Sequence, residues 1–185
     1  MVADDNDRLA ESTTNKFVGT LDSSGVGFTA DGFVGGAAIF NSTDKSGYAA
    51  VGGINCGDVS VPGAQTIGMW VNIENMDQRR IPLNKAYGGE GTFNIFADGR
   101  MIFFHGTSGI DGGTYQNHAT ELNSIVTDTW IYITHVRDVP TAKTLKWYIN
   151  GELASSAASS YATPAVSANP LWIGKGYNYP FNGIM

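Results

Sequence analysis

The residues best equipped for chemistry lie between Gly106 and Ser124, in the stretch GTSGIDGGTYQNHATELNS, which carries Asp111, Tyr115, Gln116, Asn117, His118 and Glu121. An aromatic ring beside amides and a carboxylate is the chemistry of a sugar site. The ring stacks on the apolar face of the sugar, and the polar groups hydrogen-bond its hydroxyls. A solvated loop, or a packing contact with another subunit, accounts for the same residues equally well. Trp70, Tyr177 and Tyr179 are further aromatics that could meet a sugar or a partner surface. For Trp70 the preferred reading is a ring covered by a loop of its own chain, because large aromatics are usually buried.

Catalytic constellations are thin. Glycoside hydrolysis needs two carboxylates at a fixed separation. The nearest approach is Glu74-Asn75-Met76-Asp77, which falls in a loop, and no strand carries an E-x-D-x-x-E pattern. Glu90 and Glu121 lie in loops with no carboxylate partner at fixed spacing. His135 reads as a hydrogen-bonded sheet residue, since no nucleophile accompanies it in sequence. The single cysteine, Cys56, reads as an inert, buried or half-buried thiol. These observations point away from an enzyme and leave a glycoside hydrolase as the least supported reading.

Composition narrows the field further. The chain has 185 residues, 24 of them glycine, with 15% charged residues and a net charge of −6. That length suits one substantial core. Short apolar runs separated by Gly, Asn, Asp and Ser are the profile of an all-β sandwich or barrel. Basic residues are scattered, so no phosphate-tracking groove is expected and nucleic acid is not an expected partner. The one adjacent basic pair, Arg79-Arg80, reads as part of a solvated loop. No stretch reaches the apolar length of a membrane span.

The elements that must position these groups follow from period-two alternation. Thr129 to Leu153, TWIYITHVRDVPTAKTLKWYINGEL, reads as two strands and the start of a third. Trp130, Tyr132 and Thr134 share one face, and Ile131, Ile133 and His135 the other. In the next strand Leu145, Trp147 and Ile149 oppose Lys146 and Tyr148, and both strands are expected to be central and covered on both sides. Asn150-Gly151 predicts a two-residue type I′ turn, since both residues tolerate positive φ. Gln65 to Ile73 is a strand with Ile67, Met69, Val71 and Ile73 toward the core and Trp70 outward. Ala37 to Phe40, Gly47 to Val51, Ile81 to Lys85 and Asn169 to Gly174 complete the strand set. A hairpin of Thr92 to Ala97 and Arg100 to His105 turns at Asp98-Gly99. Gly52 to Pro62 reads as a loop, Gly88 to Gly91 as a flexible turn, and Gly106 to Ser124 as the longest irregular connection, a length often associated with function. Ser155 to Ala168 reads as a loop followed by a strand. Residues 1–15 read as a polar mobile arm or attachment segment ahead of a single domain over 16–185.

Several motifs in this order resemble the laminin-G-like, concanavalin-A-like jelly-roll domains. They are "D-S-S-G-x-G" at Asp22, "A-x-x-F" at Ala37, the strand QTIGMWV, "D-G-R" at Asp98, "W-x-x-x-T" at Trp130, "K-x-Y-x-N-G-E-L" at Lys146, "L-x-I-G" at Leu171 and "F-N-G-I" at Phe181, which looks like the start of the family's last motif. The resemblance runs from about Phe17 to Met185 and implies a two-sheet antiparallel β-sandwich of the concanavalin-like jelly-roll type. In the family the last motif continues into an acidic pair and a full strand; here Met185 follows Ile184. An open sheet edge or apolar groove is the consequence if Met185 is the true end.

The resemblance also implies a structural calcium ion at Asp22, held with backbone carbonyls of the glycine-rich turn. Calcium prefers hard oxygen ligands in adaptable geometry. Asp31, Asn41 and Asp44 are further oxygen donors, although their spacing follows no EF-hand pattern. An Asx-turn at Asp22 is the plain alternative.

Two functions follow. The first is a non-catalytic binding module for carbohydrate or a cell-surface ligand. The second is a structural or decorating subunit of a large assembly, such as a viral (phage) capsid or tail, with other virion subunits as partners. The polar, acidic N-terminus lacks the apolar core of a signal peptide. Since domains of this kind usually work outside cells, an extracellular or virion-surface location is expected, reached as a piece of a larger protein or by another route of release.

Overall fold

The computed structural model describes residues 2–4, 8–10, 18–21, 25–40, 52–176 and 179–185, and within them every regular element is a strand. The first are β1 (Val2–Asp4), β2 (Arg8–Ala10), β3 (Val18–Leu21), β4 (Val26–Thr29), β5 (Ala37–Phe40) and β6 (Ile54–Asn55). Then come β7 (Gln65–Ile73), β8 (Arg80–Ala86), β9 (Gly91–Ile95), β10 (Met101–Gly106) and β11 (Tyr115–Ala119). The last are β12 (Trp130–Asp138), β13 (Thr144–Ile149), β14 (Glu152–Ala158), β15 (Trp172–Ile173) and β16 (Gly183–Ile184). They form two antiparallel sheets. One has the order β1-β2-β3-β6-β15-β8-β9-β10-β11 and the other β14-β13-β12-β7-β16-β5-β4. This is the expected two-sheet sandwich.

The alternation of side chains builds the core. Along β12, Ile131, Ile133, His135 and Arg137 are buried while Trp130, Tyr132, Thr134 and Val136 are half-buried on the outer face. Val71 and Ile73 of β7 and Leu145 and Trp147 of β13 face inward with them. The facing sheet supplies Leu83, Phe93, Ile95, Met101 and Phe103. Phe93 packs edge-on against Phe103 at 5.5 Å and against Trp147 at 5.1 Å between ring centroids. Such geometry suits the ring quadrupoles and adds to the burial of apolar area.

Turn chemistry follows local rules. Asn150 and Gly151 have φ of 51° and 88°, as a type I′ turn requires, and join β13 to β14. Gly174 has φ of 76°, and a Cβ there would overlap the ring of Phe40, so both conformation and space demand glycine.

Tertiary pairing overturns several sequence expectations. Gly106 to Ser124 is not one irregular connection, because Tyr115–Ala119 adds to the sheet edge by pairing with β10. Gly52 to Pro62 contains β6, which bridges β3 and β15. Ser155 to Ala158 continue β14 beside β13, and no strand follows until β15. The turn at Gly88 to Gly91 is buried, with the Glu90 carboxylate accepting from the Ser60 hydroxyl and, at 2.9 Å, from the Ser167 N–H. Arg79-Arg80 is not a solvated pair. Arg80 is 1% exposed and donates to Asn75 O at 3.0 Å and to Asp77 Oδ1 at 3.2 Å. The outer faces of β12 and β13 are only half covered. Each of these depends on a partner distant in the chain, which a local pattern does not encode. The strand expected at Gly47 to Val51 lies outside the described residues.

An aromatic cleft on one sheet and a polar platform on the other

Trp70 and Tyr132 are direct cross-strand partners of β7 and β12, so their side chains leave the same outer face side by side. Their ring centroids are 5.1 Å apart. Phe33, on the connection between β4 and β5, stacks on Trp70 at 3.7 Å and 20°, and meets Trp130 edge-on at 6.2 Å. The expected cover over Trp70 from its own chain is therefore this ring, itself 52% exposed. Gly68 lies under the Tyr132 hydroxyl, which any Cβ there would strike. Asn150 anchors the strand: its Oδ1 accepts the Tyr132 N–H at 2.9 Å, and its own N–H donates to Tyr132 O at 2.7 Å.

Phe33, Trp70, Trp130, Tyr132, Asn150 and Gly151 line a cleft of about 390 Å³. It adjoins a cavity of about 810 Å³ that shares the four aromatics and reaches Ile54, Leu83 and Ile173 of the facing sheet. Beside it, β16 pairs with Ile39–Phe40 of β5 and with Asn72–Ile73 of β7.

The outer face of the other sheet carries a second group. Leu83 and Phe93 are paired and face the core, so their neighbours Asn84, Thr92, Asn94 and Phe104 face outward. Tyr87 folds back over this face. Its hydroxyl donates to Asn94 Oδ1 at 2.9 Å, and its ring lies 4.9 Å from Phe104 and 6.3 Å from Tyr115. Burial pushes the Tyr87 phenol up from its ordinary value, while the charge of Arg79 pulls it back. Asp111 accepts the Tyr87 N–H at 3.3 Å and the Asn169 side-chain amide at 3.1 Å. The loop carrying Asp111 is pinned by Gly109 N–H to Gly88 O at 2.8 Å and Gly88 N–H to Ile110 O at 2.9 Å.

The predicted site residues thus fall in separate places. Trp70 stands alone on the β7 sheet. Tyr115 and Asn117 share the exposed face of β11 on the other sheet, Asp111 lies beside Tyr87 and Asn169, and Tyr179 lies under Arg79 at 4.1 Å. Tyr177 lies outside the described residues. Gln116 and His118, on the opposite face of β11, stitch the two sheets together at their edges. Gln116 Nε2 donates to Ala158 O at 2.7 Å, and His118 Nε2 lies 3.1 Å from Ser155 Oγ. Nothing in the local sequence marks Phe33, Tyr87, Trp130 and Tyr132 as binding residues. Alternation puts Trp130 and Tyr132 on one face, but only pairing with β7 sets them beside Trp70.

His118 also joins the molecule's other two histidines. Its Nδ1 is 3.5 Å from His135 Nε2, and His105 Nε2 is 3.3 Å from Gln116 Oε1. Desolvation drives the cluster toward the neutral form. His105 and His118 fall to about 4, and His135 is driven well below its ordinary value with help from the other two and Arg137. Burial pushes the Cys56 thiol up to about 11, which fits an inert thiol.

Of the calcium donors, Asp31 is exposed and accepts the Thr29 hydroxyl at 3.3 Å; Asp22, Asn41 and Asp44 lie outside the described residues. Among the described residues no three His, Cys, Asp or Glu side chains are grouped to hold a metal. The candidate carboxylates stand on separate connections: Glu74 after β7, Glu90 between β8 and β9, and Glu121 after β11. No helix among the described residues is long and apolar enough to cross a membrane, which says nothing of a β-barrel.

Known proteins match this architecture. Domain 4 of AbnA, a GH43 extracellular arabinanase from Geobacillus stearothermophilus solved with arabinotriose, superposes with a TM-score of 0.67 at 21% identity, covering 97% of this chain and 84% of that one. The binding domain of Paraclostridial Mosquitocidal Protein 1 gives 0.66 at 18%, covering 97% of this chain and 45% of that one. The CBM40 of the Ruminococcus gnavus IT-sialidase, bound to α2,3-sialyllactose, gives 0.55 at 14%, covering 72% and 85%. At these identities the likeness is one of fold. No curated protein sequence matches the chain. The sequence profile of the concanavalin A-like lectin/glucanases superfamily matches residues 43–185, and the chain belongs to that family.

Proposed function

We propose that this domain is a non-catalytic carbohydrate-binding module that holds a sugar ring in the cleft between Phe33, Trp70, Trp130 and Tyr132. The carrying observation is an open cleft of about 390 Å³ walled by four aromatic rings. That is within the size range of small-molecule sites, and the rings offer flat apolar faces to a sugar. The Tyr132 hydroxyl and the Asn150 turn supply polar groups at its edge. The fold-level likeness to a domain solved with arabinotriose and to one solved with sialyllactose supports the same class of ligand. Calcium at Asp22, with Asp31, Asn41 and Asp44 as oxygen donors, belongs to this proposal as a structural ion.

The test is a glycan-array screen of the wild type and of Trp70→Ala, each with calcium and with EDTA. Trp70→Ala is expected to weaken binding about 10-fold, the equivalent of about 1.4 kcal/mol, with unchanged far-ultraviolet circular dichroism. Binding that survives EDTA while the melting temperature falls would fit a structural calcium. Undiminished binding by a folded Trp70→Ala protein would remove the cleft from the proposal. Release of reducing sugar from any bound polysaccharide would refute the non-catalytic reading.

A further inference from the structure

We infer that the outer face of the other sheet holds a second, independent ligand site, selective for sugars that carry a carboxylate, with Arg79 as the carboxylate's partner. Three arginines crowd this end of the sheet, and two are neutralised. Arg80 pairs with Asp77 at 3.2 Å and Arg100 with Asp98 at 2.8 Å. Arg79 makes no hydrogen bond or ion pair among the described residues, and its Nε is buried without an acceptor. Its guanidinium carbon lies over the Tyr179 ring at 4.1 Å and 5.8 Å from the centre of the Phe96 ring, which holds the charge in place and leaves its N–H donors uncommitted. A buried donor without a partner is costly, and a bound acceptor recovers that cost. A guanidinium matches a carboxylate with two parallel hydrogen bonds, which favours this anion over a neutral hydroxyl.

The surroundings suit a sugar acid better than a bare anion. The charges of Arg79 and Asp111 both act on the Tyr87 phenol, and the Tyr115 ring lies 6.3 Å from the Tyr87 ring. Tyr115 is 46% exposed and offers a ring face. Asp111, which already accepts from the Tyr87 N–H and the Asn169 amide, keeps lone pairs for hydroxyls at the backbone end of Tyr87. Asn94, fully buried beneath the Tyr87 hydroxyl, keeps its Nδ2 without a partner, a further unused donor at this face. In a chain of net charge −6, long-range attraction does not favour anions. Selectivity for a carboxylate must therefore come from this local arrangement.

The site does not depend on the Trp70 cleft, and its test separates the two. D-galacturonate and D-glucuronate are titrated against D-galactose and D-glucose by calorimetry, with the Arg79 Nε–H resonance followed by NMR. The expected result is at least 10-fold tighter binding of the acids than of their neutral counterparts. The Arg79 resonance should shift, and the preference should fall as salt rises. Arg79→Gln should abolish the preference, and Trp70→Ala should leave it intact. Equal binding of acids and neutral sugars, no binding of either acid, or an unmoved Arg79 resonance in the wild type would each overturn the inference. Loss of the preference in Trp70→Ala would assign it to the other cleft and would also overturn it.

Discussion

Lowering the pH from 8 to 5 should destabilise this domain steeply, through the histidines that lie between its sheets. His105 and His118 each titrate near 4 in the folded protein, against about 6.5 in an unfolded chain. The unfolded chain therefore binds more protons between these values, and stability is lost as pH falls from about 6.5 toward about 4. At pH 5 each histidine costs about 2 kcal/mol relative to pH 8, so the two together cost about 4 kcal/mol. His135 is shifted in the same direction and adds to the loss. For a domain of this size that corresponds to a fall of about 8–16 °C in melting temperature. The carboxylate that Arg100 stabilises, Asp98, titrates below its ordinary value, so its contribution persists through this window. Thermal melts followed by circular dichroism at half-unit pH steps would measure the effect. His118→Gln keeps a polar group beside Ser155 but removes one titration, and should flatten the pH dependence by about 2 kcal/mol by pH 5. A melting temperature that changes by less than about 3 °C from pH 8 to 5 would refute the argument. So would a His118→Gln slope equal to that of the wild type.

Two further predictions concern the frame. The buried Arg137 donates from Nε to Gly63 O at 3.0 Å and from its two terminal nitrogens to the carbonyls of Val61 and Glu90. Arg137→Met should orphan these acceptors and cost about 3 kcal/mol, read as a lower urea midpoint with unchanged m-value; a loss within error of zero would show that water replaces the guanidinium. Gly151→Ala meets open space at φ of 88°, whereas Gly174→Ala meets the Phe40 ring at φ of 76°. The first should cost about 1–2 kcal/mol from backbone strain alone, and the second at least about 2 kcal/mol more from overpacking; equal losses by urea denaturation would remove the packing argument.

By itself, the sequence determined the fold class and the local turns. Period two along Gln65–Ile73 and Trp130–Asp138 sorted side chains to the correct faces. Asn150-Gly151 and Asp98-Gly99 named their turns because positive φ is a property of one or two residues. The ordered motifs pointed to the family. Tertiary structure decided which faces meet. Gln116 and His118 share a short stretch with Tyr115 and Asn117, yet pairing of β11 with β10 turns the first two toward the opposite sheet and the other two outward. Arg79 and Arg80 are adjacent, but only Arg80 finds an acid, because the chain reverses at Asn75–Asp77 beside it. Phe33 joined Trp70, 37 positions further along the chain, through the packing of one loop on one sheet. Alternation and turn propensity are fixed by bonded geometry and survive in the sequence. Contacts between sheets depend on which strands become neighbours, and only the assembled sandwich sets that.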